Sequence, residues 1–312
     1  MIKKDINNSL VDLNKEYIQL YYSPEYRLGR KMLIIKYYLK KFKVVTLIKK
    51  IYHSKMKSKN AVKNNFNNDK IFSNNEKYRE NKYKGEKIAV YSVNIGGYDS
   101  ILQPIYKDDK IDYYYISDKK PSDLGVWKYI DANKYIKQQG LTNVKKARYL
   151  KIHPDLFFKD YKYSIFVDGN IRVVGDISYL VNFINKETKI ATHAHPYRDC
   201  IYDEAVRCKK SGKGNPKVID KQMNEYMKEG MPKGFGLFET NVVVREHNNP
   251  TCKKIMKLWW NEIESKSERD QLSLTYSLWK NGFSANDVGV LGWDTKQNPY
   301  LQVLDHKDEY KK

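Results

Sequence analysis

The sequence predicts an α/β fold with a mostly parallel central sheet, preceded by a basic helical N-terminal segment. From residue 86 onward, short apolar runs typical of strands alternate with amphipathic stretches typical of helices. The 312 residues are 41% hydrophobic, which is enough for one large buried core. Residues 1–85 hold 21 Lys and Arg against 7 Asp and Glu, whereas the remainder holds 37 against 30. We therefore expect two parts, a segment with linker over 1–85 and a folded domain over 86–312.

The N-terminal segment contains a candidate membrane-docking helix. Residues 27–52 carry nine Lys and Arg and no acid, and their apolar residues are spaced by three or four: Leu28, Met32, Ile35, Leu39 and Phe42. Such a helix either docks on an anionic membrane surface or packs on its own domain. Its uncharged stretches are far shorter than the roughly 20 residues that span a bilayer, and Met1 begins no signal peptide pattern. We expect a cytoplasmic protein, peripheral on the inner membrane face.

Cysteine content and net charge limit the function classes further. Cys200, Cys208 and Cys252 form no C-x-x-C pair and are too few for a disulfide framework, so reduced thiols are expected.

The net charge of +21 favours polyanionic partners, including nucleic acid, an anionic membrane or a phosphorylated substrate. Most of the excess lies before residue 86 and the chain has no recognised nucleic-acid motif, so we expect no nucleic-acid partner.

The folded domain shows its elements in order along the chain. Strands are predicted at 88–93, 111–116, 163–167, 189–193 and 241–245, and helices near 142–150, 216–229, 250–265 and 269–279. In open α/β sheets, ligands bind beyond the carboxyl ends of the strands. Polar residues that follow strands are therefore the first candidates for a functional site.

Two strand ends suggest a nucleotide site. Gly96 and Gly97 follow the first strand, where backbone N–H groups could approach a phosphate or nucleoside beside Tyr98, although two glycines are equally typical of an ordinary turn. Asp118 follows the second strand and could bond a base or ribose, or cap a helix.

A third strand ends at Asp168-Gly169-Asn170. The carboxylate of Asp168 and the amide oxygen of Asn170 are hard ligands suited to Mg²⁺ or Mn²⁺. Asp-Gly between two apolar runs is also a strong hairpin signal, and the pattern alone leaves both interpretations open.

Charged residues elsewhere could serve a diphosphate or an acceptor. Arg148 and Lys151 share a helix face and could stabilise a departing diphosphate, although solvated lysines are the common alternative. His193 and His195 point to one side of a strand, where a structural or substrate-contacting role is more typical than a metal pair. Asp270 lies in the first turn of a helix, where acids often complement the dipole.

Five short motifs in register carry a family resemblance: residues 91–99, 146–154, 165–171, 236–241 and 269–271. Together they resemble a glycosyltransferase family that includes plant galacturonosyltransferases acting on rhamnogalacturonan and mucilage. The resemblance covers roughly residues 86–306. It implies a GT-A-type, Rossmann-like nucleotide-binding domain that uses a nucleotide sugar, often a UDP-sugar.

The resemblance also implies roles for individual residues. The catalytic residues would be Asp168, Asp270 and Glu239, and the metal ligands Asp168, Asn170 and His306, holding Mn²⁺ or Mg²⁺. The substrate-binding residues would be Gly96, Gly97, Tyr98, Asp118, Arg148, Lys151, Asn170, His195, Arg198, Asn241, Arg269 and Gln271. Asn170 departs from the D-x-D motif of such folds.

The function expected from these observations is sugar transfer from a nucleotide sugar to a glycan or lipid-linked acceptor, in the synthesis of a bacterial surface polysaccharide such as a capsule. Two alternatives stay open. One is a basic nucleic-acid-binding protein with tyrosines that stack on bases. The other is a metal-dependent hydrolase of nucleotide sugars built on Asp168, His193 and His195.

Overall fold

The structure, a computed structural model, describes residues 2–26, 28–29, 32, 83–292 and 294–306. The chain divides into two compact units, residues 1–64 and 65–312. In the first unit, helix α1 (Ile2–Tyr22) buries Val11 and exposes Leu13, Tyr17 and Leu20. The helix predicted over 27–52 lies almost entirely outside the described residues. No helix in the described part of the chain is long and apolar enough to cross a membrane.

The second unit is built on a seven-stranded sheet with the order β3-β2-β1-β4-β7-β6-β8 and a two-stranded sheet of β5 and β9. These strands are β1 (Ile88–Asn94), β2 (Ile111–Ser117), β3 (Lys128–Asp131), β4 (Tyr163–Val167), β5 (Ile171–Val173), β6 (Ile190–Ala194), β7 (Phe238–Arg245), β8 (Gly289–Val290) and β9 (Leu301–Val303). Strands β3, β2, β1 and β4 are mutually parallel, and β6 is parallel to β8. Strand β7 is antiparallel to both β4 and β6. The predicted mostly parallel sheet is confirmed.

Five helices lie in the described part of this unit: α2 (Asn143–Ile152), α3 (Ile201–Lys210), α4 (Pro216–Lys228), α5 (Pro250–Ser265) and α6 (Gln271–Lys280). Three of them begin with a side-chain cap; before α2, the side chain of Thr142 accepts from the Lys145 N–H. Asn215 and Asn249 cap α4 and α5, each followed by a proline at the first helical position. The sequence prediction missed α3, whose apolar residues Ile201, Ala205 and Cys208 are too few to stand out from its charged ones.

Alternation along the strands divides the core between the two faces of the sheet. In β4, Phe166 packs with Trp259 of α5 and Leu274 of α6, while Ile165 and Val167 join the core on the opposite face. Because β1, β2 and β4 are parallel, their carboxyl ends meet at one edge. Antiparallel β7 brings its amino end to that same edge. The polar residues that follow these strands are thereby gathered together.

Candidate active site

The glycine turn after β1 and the acid after β2 form one unit. Gly96 and Gly97 have φ of 72° and 68°, the left-handed region that glycine adopts without strain. The Gly96 N–H donates to both carboxylate oxygens of Asp118, at 3.1 and 3.2 Å. A Cβ at Gly96 would collide with the amide of Asn143 at the start of α2, whereas one at Gly97 would meet nothing within 4 Å. The turn therefore presents bare backbone on its Gly97 side.

Asp99 ends this turn and contacts the end of the described chain. Its carboxylate lies 3.0 Å from Nδ1 of His306, whose ring is 5.2 Å from the ring of Tyr98 between centroids. The Asp99 carboxylate also lies against Gly169, where a Cβ would come within 2.9 Å of it. Asp99 was not chosen as a site residue from the sequence. Its position next to Tyr98 in the same motif was the available signal.

The Asp168 turn is not a hairpin, which removes the alternative left open by its sequence. Strand β4 pairs with β1 and β7, whereas β5 pairs with β9 in a separate sheet. The turn is closed locally by the Ile171 N–H, which donates to the Asp168 carbonyl at 2.9 Å. The Asp168 N–H donates to the Asn241 carbonyl at 2.9 Å. The chain thus leaves the main sheet at Asp168, and 29% of that side chain remains exposed.

Two of the three predicted metal ligands, Asn170 and His306, are engaged in other contacts of the described chain. The Asn170 amide nitrogen donates to the Leu304 carbonyl at 2.8 Å, and the Leu304 N–H returns a bond to the Asn170 carbonyl. Asn170 therefore anchors the segment that carries His306, and His306 itself faces Asp99. Across residues 83–292 and 294–306, no three His, Cys, Asp or Glu side chains group as metal ligands. We derive no step of the reaction through a metal.

A buried cluster of charges lies behind Asp168. The Lys151 ammonium is 2.6 Å from Oδ2 of Asp270 and 4.0 Å from Oδ1 of Asp168. Arg148 approaches the same Asp270 oxygen at 3.5 Å, and the Thr240 hydroxyl donates to it at 2.8 Å. The exposed fractions are 1% for the Lys151 side chain and 3% for Asp270, against 20% for Arg148. Arg148 therefore faces the open site, whereas Lys151 lies in its floor beneath Asp270.

The environments of the two aspartates separate their pKa values. Burial alone would raise the pKa of Asp270, but the charges of Arg148 and Lys151 outweigh it and hold that pKa well below its usual range. Burial raises the pKa of Asp168 in spite of attraction from Lys151 and Arg148. Asp270 is thus a permanent carboxylate, while Asp168 accepts a proton more readily. Carboxyl pairs with separated pKa values are typical of active sites.

Glu239 lies at the amino end of β7 on the same edge. Its Oε2 accepts from the Thr295 N–H at 2.9 Å and contacts the Thr295 hydroxyl at 3.0 Å, and that hydroxyl lies 2.7 Å from Oδ1 of Asn241. Burial, with a smaller contribution from Asp294, raises the pKa of Glu239 to about 7. Thr295 was missed from the sequence, because no local pattern connects it to residues more than 50 positions earlier.

His193 lies in β6 and His195 directly follows that strand; both imidazoles are neutral and they lie in different environments. Burial lowers the pKa of His193 to about 3, and neither ring nitrogen has a hydrogen-bond partner. His195 accepts at Nδ1 from the N–H groups of Tyr197 and Arg198, and its pKa is lowered to about 4 by burial and by Arg198. Arg198 in turn donates to Glu204 at 2.6 Å. His195 and Arg198 therefore hold each other in position in the loop before α3.

Arg269 and Gln271 flank Asp270 and bind one another. The Arg269 guanidinium donates to Oε1 of Gln271 at 3.0 Å, while its Nε is buried and lacks a partner. The Trp259 indole N–H donates to the Asp270 carbonyl at 2.9 Å and fixes the start of α6. The predicted site residues are thus distributed along one edge of the sheet, from the Gly96 turn to the His195 loop.

This α/β domain, with its mostly parallel seven-stranded sheet, has the GT-A-type fold of glycosyltransferases, as expected from the resemblance. The family model described as "TOD1/MUCI70, glycosyltransferase-like domain" matches residues 106–288. This chain belongs to that family. The predicted glycosyltransferase class is confirmed at the level of the family.

The relatives identified by comparison also carry glycosyltransferase names. "Probable hexosyltransferase MUCI70" of Arabidopsis thaliana is 25% identical in an alignment of 249 residues that covers 71% of this chain and 42% of the relative. The chain thus spans less than half the length of that protein. The apo structure of the bifunctional glycosyltransferase WbbM is similar at a TM-score of 0.42 and 11% identity, over 63% of this chain and 38% of that one. The apo structure of mouse xyloside xylosyltransferase 1 is similar at a TM-score of 0.36 and 11% identity, over 69% of this chain and 80% of that one.

Proposed function

We propose that this chain transfers a sugar from a nucleotide sugar, specifically a UDP-sugar, to a glycan acceptor. The observation that carries the proposal is the Asp270 carboxylate, held by Lys151 at 2.6 Å and Arg148 at 3.5 Å beside Asp168. Breaking a sugar–phosphate bond develops positive charge on the sugar and negative charge on the diphosphate. A site for this reaction needs a fixed carboxylate and a fixed cation close together, which this cluster supplies.

The donor would bind along the edge from Gly96 to Arg148. The Gly97 side of the glycine turn would approach the nucleotide, since the Gly96 N–H is held by Asp118, and Tyr98 would offer a ring for the base. Arg148 would contact the diphosphate, since its guanidinium is the partly exposed cation of the cluster. Lys151 acts through Asp270 as a positioning residue, because its ammonium is enclosed.

The acceptor would bind on the Glu239 side. During transfer the bond between the anomeric carbon and the phosphate oxygen breaks, and the acceptor hydroxyl oxygen forms the new bond to that carbon. The hydroxyl proton goes to Glu239, whose pKa of about 7 suits a base at neutral pH, or to the departing phosphate. Asn241, His195, Arg198, Arg269 and Gln271 would contact the two sugars. The leaving diphosphate keeps the bonding electron pair and is stabilised by Arg148.

The proposal also includes the place in the cell where the enzyme acts. We place the enzyme on the cytoplasmic face of a bacterial membrane, with residues 27–52 bound to anionic lipid and a lipid-linked acceptor for a surface polysaccharide. The nine basic residues of that segment support the placement. The transferase domain is residues 86–312. The predicted Mn²⁺ or Mg²⁺ is left out of the reaction, because no three His, Cys, Asp or Glu side chains of the described residues group as metal ligands.

A thermal-shift screen tests the donor assignment. A UDP-sugar at roughly a hundred times its Kd should raise the Tm of the wild-type chain by about 5 °C or more, since it binds only the native state. The Arg148→Gln variant should lose this shift, while Arg172→Gln, on β5, should keep it. Equal shifts for UDP-, ADP- and GDP-sugars would contradict the uridine preference. Absence of any shift, with salt-sensitive binding to generic RNA, would favour the nucleic-acid alternative.

A further inference from the structure

The outer flank of helix α2 carries two cavities that the proposed reaction does not use. One, of about 570 Å³, lies between the segment after β3 and α2, and the other, of about 340 Å³, lies at the carboxyl end of α2 against α5. Trp260 lines both cavities, so they are called the Trp260 groove here. Helix α2 directs Arg148 toward Asp270, whereas the next residue, Tyr149, lines the groove.

The groove combines aromatic walls with a strongly basic rim. The accessible ring surface is that of Tyr135 and Tyr149, both partly exposed, and Tyr149 meets the buried Trp260 edge to face at 5.0 Å between ring centroids. The rim carries five exposed lysines: Lys134, Lys137, Lys159, Lys253 and Lys257. Asp155 is the one acid lining either cavity among the described residues, and it lies 3.8 Å from Lys253. The other four lysines make no ion pair within the described part of the chain.

The positive charge of the groove comes from these lysines alone. His153 and His247 line the smaller cavity, and burial lowers the pKa of both, to about 4 for His247. Both imidazoles are therefore neutral at physiological pH. The occupant must complement a net positive rim and also cover apolar ring surface, which a small inorganic anion does not do.

We propose that the Trp260 groove binds a polyanionic glycan, the acceptor polymer at a distance from its reacting end. The inference rests on the proposed function, because the flat faces of sugar rings cover aromatic walls and their anionic groups pair with the lysines. The anionic groups can be carboxylates or phosphodiesters, which present the same charge to the rim. A flat membrane surface fits poorly, since the aromatic residues line recessed cavities and do not protrude.

Binding of the full chain to polymers of defined charge tests the inference. The probes are alginate for carboxylates, poly(glycerol phosphate) for phosphodiesters and dextran as the neutral control. Wild type should bind one or both polyanions far more tightly than dextran. The variant Lys134→Gln/Lys137→Gln/Lys159→Gln should weaken that binding by about tenfold. The control Lys217→Gln/Lys221→Gln/Lys228→Gln removes the same charge from α4 and should bind as wild type.

Other outcomes would overturn the inference. If both triple variants bound the polyanions equally weakly, the effect would be one of net charge and not of the groove. If wild type bound dextran as tightly as the polyanions, the lysines would have no role in binding. Single-stranded RNA that displaces alginate at lower concentration would make nucleic acid the occupant. The UDP-sugar thermal shift is measured on the same variants and should be unchanged in both. Its absence in wild type, with polyanion binding intact, would refute sugar transfer and the acceptor role while the groove remained a polyanion site.

Discussion

The Lys151 ammonium and the Asp270 carboxylate are 119 residues apart in the chain and 2.6 Å apart in the fold. Both side chains are almost fully buried, so water could not solvate either charge if its partner were removed. The ammonium also lies 4.7 Å from the centre of the Phe166 ring, which adds a favourable contact. The pair fixes Asp270 at the edge of the sheet.

Removing one partner of this pair should be costly. Asp270→Asn leaves the Lys151 charge buried and poorly compensated, and should lower the free energy of unfolding by about 3–5 kcal/mol. Asp270→Asn/Lys151→Met removes both charges and should recover part of that loss. Urea denaturation of the four proteins of the cycle measures the coupling. A loss below about 1 kcal/mol for Asp270→Asn would show that the pair is not formed.

The pKa of Glu239 predicts a pH dependence of stability. The folded pKa of about 7 lies above the ordinary glutamate pKa of 4.5, so between these pH values the native state holds a proton that the unfolded state releases. The free energy of unfolding should therefore fall, by about 1 kcal/mol per pH unit, as pH rises from about 5 to 7. Glu239→Gln should remove this contribution, whereas the exposed Glu187→Gln should keep it. Identical slopes in all three proteins would contradict the raised pKa.

The same group predicts the pH profile of transfer. If Glu239 accepts the acceptor proton, the rate should rise as pH passes through about 7, because the base must be ionised. Glu239→Gln should be slow and should lose this inflection. Initial rates between pH 5.5 and 8.5 provide the measurement. An unchanged inflection in the variant would assign the proton to the departing phosphate.

Asp168 should matter for transfer far more than for folding. Its side chain is partly exposed and its pKa is raised, so Asp168→Ala should abolish transfer while leaving the unfolding transition close to wild type. Asp160 is exposed and precedes the opposite end of β4, which makes Asp160→Ala the matched control. Radiolabelled sugar transfer and thermal unfolding are compared for both. Wild-type turnover in Asp168→Ala would defeat the site assignment.

The two glycines after β1 differ in what an added methyl group would meet. Both have positive φ, so alanine at either costs about 1–2 kcal/mol of backbone strain. Gly97→Ala should cost only this, since nothing lies within 4 Å of the new Cβ. Gly96→Ala should cost little more stability, because the methyl group displaces the terminal amide of the Asn143 side chain, but should weaken nucleotide binding further, because this displacement lies beside the turn. An equal loss of UDP affinity in both variants would show that the displaced Asn143 amide does not affect binding.

The basic N-terminal segment predicts membrane partitioning. Deleting residues 1–52 removes the nine basic residues of 27–52 and should move the protein from vesicles containing anionic lipid to the soluble fraction. The UDP-sugar thermal shift of the deleted form shows whether the remaining domain is intact. Sedimentation with anionic and neutral vesicles separates a charge effect from a general one. Unchanged partitioning would remove the docking proposal.

The sequence predicts which residues lie at the carboxyl edge of the sheet, but it does not predict the side-chain contacts among them. Gly96 and Asp118 each follow a strand, so their proximity follows from parallel pairing, and the structure joins them by hydrogen bonds. Thr295 reaches Glu239 from 56 residues away, on a segment with no pattern of its own. The sequence grouped Lys151 with Arg148 as a cation for the diphosphate, but it did not predict that the Lys151 ammonium is buried against Asp270. Contacts of this kind depend on packing between distant segments.

The sequence alone predicted five of the nine described strands, four of the five described helices of the domain and the α/β class, because apolar periodicity and helix capping are local properties of the chain; it missed the short strands β3, β5, β8 and β9. Only the tertiary structure decided that the Asp168 turn leaves the sheet, since the partner of β5 is β9, some 130 residues later. It also decided that Asn170 binds the chain at Leu304 and that Asp270 is held by two cations. These arrangements depend on which segments the closed core brings together, and burial then sets the charge of each group.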